Sequence, residues 1–192
     1  MPEHYFFGYG SLVNRRTHDF TRSAVATAKG WRRAWRYTPD RQVAFLTAIP
    51  DADCTISGLI AHVPHNDWAA LDVREAAYDR VPATHVVDHG ADGVDDIAIY
   101  AIHPDRMRLP DGQHPVLLSY IDVVVQGYLA EFGASGAEAF FATTTGWEAP
   151  ILNDRANPRY PRAQRLHESE QGVVDDALRK LGCTVMADMP AL

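Results

Sequence analysis

Apolar and polar positions in the first half of the chain alternate in short runs, over 4–9, 24–29, 31–37, 43–49 and 55–63, the pattern of half-buried strands. Asp40, Pro50-Asp51 and Gly58 punctuate these runs as turn signals. Sequential short strands of this kind predict a largely antiparallel sheet or barrel. The period lengthens to that of a helix at 66–78, where Pro64-His65-Asn66-Asp67 supplies capping chemistry at the start. Two more strands, 83–88 and 96–102, return the chain to the sheet.

The second half reads differently. Leu117, Leu118, Ile121, Val124, Val125, Tyr128, Leu129 and Phe132 recur at i, i+3, i+4 and i+7, and Gly133 comes next as a terminator, so the spacing predicts a helix with its stripe in the core. A shorter helix is expected over 136–142. Val173, Val174, Ala177, Leu178 and Leu181 mark a last amphipathic helix ending at Gly182. Between them 147–165 holds three prolines and no period, a long irregular segment of the kind that often carries function. The expected class is therefore α+β, in one domain over 1–192: a strand-rich core with one helix over 1–110 and a helix-rich extension over 111–192.

Composition narrows the function. Hydrophobic residues make up 46% of the 192, enough for one core, and charged residues 22%, so disorder and coiled coil fit poorly. The net charge of −7 argues against a nucleic-acid partner, which calls for a basic footprint. Cys54 and Cys183 form no CxxC or metal-type spacing, and Met1-Pro2-Glu3-His4-Tyr5 has neither the basic region nor the apolar run of an export signal, so a cytoplasmic location is expected. The most apolar stretch, 116–129, is broken by Ser119, Asp122 and Gln126, so no membrane span is expected.

Two features could carry chemistry. Phe6-Phe7-Gly8-Tyr9-Gly10-Ser11-Leu12 is an apolar strand running into a small-residue turn. Gly10 there can take positive φ, and successive N–H groups can cradle a carboxylate or phosphate. The alternative is a plain glycine-containing strand end. The dinucleotide fingerprint fails, because the frame starting at Gly8 needs glycine where Val13 stands. The second feature is Leu71-Asp72-Val73-Arg74-Glu75-Ala76-Ala77-Tyr78. Helical geometry sets Glu75 between Trp68 and Leu71 and near Tyr78, where burial would raise its pKa toward the range useful for acid–base catalysis. Alternatively Glu75 reaches solvent or pairs with Arg74 or Arg80.

Together these pieces resemble the γ-glutamylcyclotransferase superfamily, most closely its ChaC-type, glutathione-degrading branch. The residues that carry the likeness are Phe7-Gly8-Tyr9-Gly10-Ser11-Leu12, the strand Trp31-Arg32-Arg33-Ala34-Trp35, and Leu71-Asp72-Val73-Arg74-Glu75 with Tyr78. The resemblance covers about the first 100 to 140 residues and fades in 146–155 and 157–162. It implies a small mixed or antiparallel β-barrel with flanking helices, whose Tyr9-Gly10-Ser11-Leu12 loop wraps a γ-glutamyl group beside Tyr78. It also implies Glu75 as the acid–base that moves a proton from the substrate's α-ammonium to the leaving amine. The loop N–H groups would hold either the α-carboxylate or the developing oxyanion. The expected partner is a small-molecule γ-glutamyl substrate, cyclised to 5-oxoproline with no cofactor or metal. The same scaffold could instead serve as a non-catalytic binding domain or a γ-glutamylamine-type transferase.

The remaining candidates are weaker. Arg155, Arg159, Arg162 and Arg165 form a basic cluster in an acidic chain, with Arg155 and Arg159 as candidate lid residues or as fold-stapling cations. His62 and His65, or His85 and His89, have suggestive spacings but no HExxH helix. Trp31, Trp35, Tyr37 and Phe45 are expected in the core or on a pocket wall, and Ser11 is a turn residue without a readable Ser-His-Asp context.

Overall fold

The computed structural model describes residues 3–189, so Met1 and Pro2 of the segment read for an export signal lie outside it. In chain order the elements are β1 (His4–Gly8), β2 (Ser23–Arg36), β3 (Phe45–His62), α1 (Trp68–Arg74), β4 (Asp79–Pro82), β5 (Val87–His89) and β6 (Asp96–Ala101). Next come β7 (Val116–Leu117), α2 (Leu118–Ala142), β8 (Thr144–Thr145), β9 (Ile151–Leu152), α3 (Glu168–Lys180) and β10 (Val185–Met186). The α+β reading holds.

The main sheet runs β4-β6-β1-β3-β2-β5, with β8 added in parallel to one end of β2. Its strands are mixed: β1 pairs antiparallel with β3 and parallel with β6. Among the described residues β4 and β5 are the edges and do not pair with each other, so the sheet is open and not the barrel expected. The long β2–β3 ribbon is continuous where the sequence pattern broke it. Gly30 takes φ 80° at a bulge between Lys29 and Trp31, and pairing resumes with Trp31 opposite Pro50. Pro50 is tolerated because β1 reaches β3 only at Leu59–His62, leaving no ladder on its other side to lack a donor.

Alternation along β1 divides the core. Tyr5, Phe7 and Tyr9 join the main cluster with Trp35, Ile60 and Ile97 under α2, while Phe6 faces the other way with Ala61, Val63, Tyr100 and Leu71 of α1. Most of the expected stripe of α2 is buried, with Leu117, Leu129 and Phe132 half-buried. Asp122, Val123 and Gln126 are buried as well, so the first part of this helix is enclosed on most sides. Its polar groups are satisfied: Gln126 Oε1 accepts from Asn14 Nδ2 at 3.0 Å, and Gln126 Nε2 donates to Glu170 at 3.0 Å. Gly133, at φ 68°, divides α2 into two helical segments, matching the expected stop and restart. A second sheet, β10-β9-β7, joins two-residue parallel strands that no periodicity announced. No helix among the described residues is long and apolar enough to cross a membrane.

Candidate active site

β1 lies between β3 and β6, and its end delivers Tyr9 to the sheet rim. The Tyr9 hydroxyl donates to the Tyr100 carbonyl at 2.6 Å and accepts from the Ala48 N–H at 3.0 Å. Its carbonyl accepts from Arg33 Nε and the Tyr128 hydroxyl, both at 3.0 Å. The chain then enters a 3₁₀ turn, Ser11–Val13, closed by the Val13 N–H on the Gly10 carbonyl at 3.0 Å. As its first two residues, Ser11 and Leu12 have no acceptor for their N–H groups inside it. Gly10 has φ −118°, so the positive φ expected of it is absent. Glycine is required by proximity instead: a Cβ there would stand 2.5 Å from the Tyr120 hydroxyl.

This turn forms one wall of a cavity of about 270 Å³. Phe6, Phe7 and Gly8 from β1, residues 43–46, Glu75, Tyr78, Tyr100, Leu117 and Tyr120 complete most of it, and Tyr160 and Arg162 close one side. The structure thus brings together Tyr9, Gly10, Ser11, Leu12, Glu75 and Tyr78. Among the described side chains Glu75 is the one carboxylate and Arg162 the one cation on the wall.

Glu75 reaches this place by another route than a continuous helix. Asp67 caps α1 by accepting from the Ala70 N–H at 3.1 Å, and α1 ends at Arg74. Glu75 comes next with φ −98°, its N–H on the Leu71 carbonyl at 2.9 Å and its carbonyl accepting from Tyr78 at 2.8 Å. The expected helix to 78 is cut short because Asp79–Pro82 pairs with β6, and that ladder outweighs helix propensity. Trp68 lies off the cavity, packed edge-on to His4 and under Arg80. Arg80 is held by Asp72 at 3.4 Å, and the Arg74 side chain lies outside the described part of the structure.

The wall is phenolic. Burial raises the pKa values of Tyr9, Tyr78, Tyr100 and Tyr120, and for each the Glu75 charge adds to the rise. The phenols therefore stay neutral, and like that of Tyr9 the hydroxyls of Tyr78 and Tyr100 are committed: Tyr78 donates to the Leu46 carbonyl at 3.0 Å and Tyr100 to Asp72 at 2.5 Å. The Tyr120 ring stands edge-on to Trp35 at 5.9 Å and to Tyr160 at 4.9 Å, with its hydroxyl against Gly10 and Ser11.

The irregular segment divides its arginines. Arg155 binds Asp122 through Nε and Nη2, both at 2.7 Å, and Asp175 at 2.8 Å, tying α2 to α3 away from the cavity. Arg159 is exposed, and among the described residues its backbone N–H is engaged, by Asp154 at 2.8 Å, while its side chain shows no ion pair. Asp154 also accepts from Ser119 N and Oγ, pinning the segment to the start of α2. The residues that reach the cavity are Tyr160 and Arg162. Sequence reasoning missed Tyr100, Tyr120 and Tyr160; of these only Tyr120 carried a signal, an aromatic placed off the buried stripe of its helix. His62 packs against Tyr5 at 5.3 Å and His65 sits at φ 56°, and no group of three or more metal-ligating side chains is gathered among the described residues.

With this geometry in hand, comparison places the chain among known proteins. Residues 6–120 match the family model described as gamma-glutamyl cyclotransferase, AIG2-like. No curated protein matches the sequence significantly. Among solved structures, a gamma-glutamyl cyclotransferase shares the fold with a TM-score of 0.55 and 14% identity, covering 91% of this chain and 99% of its own. The uncharacterized human protein loc79017 gives 0.58 at 12% identity with the same coverage. YkqA from Bacillus subtilis gives 0.53 at 19% identity over 72% of this chain, which spans about half (52%) of its length. At these identities the likeness concerns the fold. The family match ends at residue 120, so Tyr160 and Arg162 lie beyond it.

Proposed function

The chain belongs to the gamma-glutamyl cyclotransferase, AIG2-like family, and on that premise we propose that its cavity cyclises the γ-glutamyl group of a peptide or amine to 5-oxoproline, releasing the free amine. In this reaction the substrate's α-nitrogen forms a bond to its own γ-carbonyl carbon, the γ-amide C–N bond breaks, and the α-ammonium gives up two protons as it becomes the lactam N–H, one completing the departing amine and the other passing to that amine or to solvent. No water is consumed. The protein must fold a flexible chain onto itself and move protons off the attacking nitrogen and onto the departing one, so positioning and one acid–base group supply the catalysis.

Glu75 takes a proton from the ammonium and returns it to the leaving nitrogen. Its position as the one carboxylate among the described residues of the wall is the observation that supports this reading most. The Ser11 and Leu12 N–H groups hold an anionic oxygen, and the phenolic wall excludes water while stacking on the substrate's methylene chain. Tyr9 and Tyr78 act through packing, since their hydroxyls serve the Tyr100, Ala48 and Leu46 backbone. The ChaC-type assignment belongs to the same proposal and rests on the loop, the Trp31-Arg32-Arg33-Ala34-Trp35 strand and the Leu71-Asp72-Val73-Arg74-Glu75 sequence with Tyr78. The test is to incubate the purified protein with γ-glutamyl amino acids, peptides and amines and to quantify 5-oxoproline. Release equal to that of the free amine is expected for at least one class, and absence from every class would contradict the proposal.

A further inference from the structure

Several arginines find a carboxylate: Arg15 pairs with Glu131, Arg22 with Glu3, Arg32 with Asp51, Arg106 with Asp79 and Arg179 with Asp176, whereas the exposed Arg16, Arg108, Arg159 and Arg165 show no such pair among the described residues and do not line the cavity. Arg162 has no such partner among the described residues. Its Nε donates to the Tyr160 hydroxyl at 3.1 Å, and the guanidinium carbon stands 5.7 Å from that ring's centre. The side chain is thereby oriented, while both terminal nitrogens remain for another acceptor. It is exposed and lines the cavity, so it marks where a bound molecule leaves the protein.

We propose that Arg162 recognises a carboxylate on the departing half of the substrate, so that the site selects γ-glutamyl amino acids and peptides with a free terminal carboxylate over neutral γ-glutamyl amines. This rests on the cyclotransferase reading. The reacting half must lie against Glu75 inside the cavity, and the portion of the substrate beyond the γ-amide therefore extends toward the exposed rim. A guanidinium fork there meets a carboxylate through two parallel hydrogen bonds, an interaction a neutral amide does not reproduce. The residue lies outside the matched family segment, so this selectivity belongs to the chain's own later part.

The test compares γ-glutamylalanine with γ-glutamylalaninamide, which differ only in that terminal group. Turnover is measured in the wild-type frame, and calorimetric affinity in a Glu75→Gln background where the ligands persist. Arg162→Gln should lower the carboxylate-to-amide ratio about tenfold or more in both measurements, and Arg162→Glu should invert the preference. Arg159→Gln, which removes the same charge three positions away, should leave the ratio as it was. An equal loss for both ligands would assign Arg162 to the common α-carboxylate and overturn the proposal, as would an equal effect of Arg159→Gln. An intact affinity ratio without any 5-oxoproline would overturn the cyclotransferase reading while keeping Arg162 as the selecting group. Binding of neither ligand would overturn both.

Discussion

The buried Arg33 guanidinium donates from Nε to the Tyr9 carbonyl at 3.0 Å, so β2 fixes the backbone one residue before Gly10. Three of its other N–H groups go to Thr143 Oγ1 at 2.6 Å, to the Ser57 carbonyl and to the Tyr128 hydroxyl, and it lies 4.9 Å and 5.4 Å from the Tyr128 and Phe140 ring centres. A full charge is thus held by neutral acceptors and π faces, with the loop's anchor among them. Arg33→Met would leave those acceptors without their donor, and a loss of about 2–4 kcal/mol is expected in urea unfolding. Arg33→Lys should recover little, because one ammonium cannot replace the fork. A midpoint equal to wild type for either variant would contradict this role.

Gly10 is constrained by the oxygen of Tyr120, a ring held between Trp35 and Tyr160. Gly10→Ala is expected to displace the turn and weaken ligand binding about tenfold or more, with little change in melting temperature. Tyr120→Phe should rescue it, since the next atoms, Leu46 Cδ2 and Tyr120 Cζ, lie 3.4 Å and 3.7 Å from the new Cβ, ordinary contacts. Failure of the double variant to recover affinity would mean that the hydroxyl is not the obstacle.

Arg155 staples two helices and is expected to affect stability rather than charge selection. Arg155→Ala leaves Asp122 buried without its cation, at a cost of about 2–4 kcal/mol in unfolding free energy. Burial already holds Asp122 above the usual carboxylate range, and Arg155 opposes that rise. Without Arg155 the folded-state pKa rises further. Its contribution to stability is then fully present below the unfolded value and lost as pH climbs through the folded one, so the variant should regain stability on acidification toward pH 4 relative to wild type. Melting curves from pH 7 to pH 4 read this directly. A constant difference across that range would exclude Asp122 as the titrating group.

The sequence made legible those features that depend on local pattern. Alternation in β1 separates Phe7 from Phe6, the i, i+3, i+4 stripe marks α2, and Gly133 marks its break. The loop after β1 and Glu75 stand out because their residue types are unusual where they occur. The features that stay hidden depend on partners distant in sequence. β2 and β3 continue past Gly30 and Pro50 because each supplies the other's ladder, and α1 stops early because β6 takes residues 79–82. Arg155 and Arg162 look alike in sequence, and only the tertiary placement of Asp122 and Asp175 gives one of them a structural partner. The open sheet likewise results from edge pairing, which strand count does not reveal.

Glu75 as the group that carries the proton is the centre of the proposed chemistry. The direct measurement is the single-turnover rate of 5-oxoproline formation from the best γ-glutamyl substrate, wild type against Glu75→Gln, with substrate affinity monitored in parallel. Glutamine keeps the size and hydrogen-bonding reach of the side chain and removes proton transfer alone. A rate lower by about 10²- to 10⁴-fold with affinity largely retained is the expected result. A Glu75→Gln protein that forms 5-oxoproline at the wild-type rate would contradict that role.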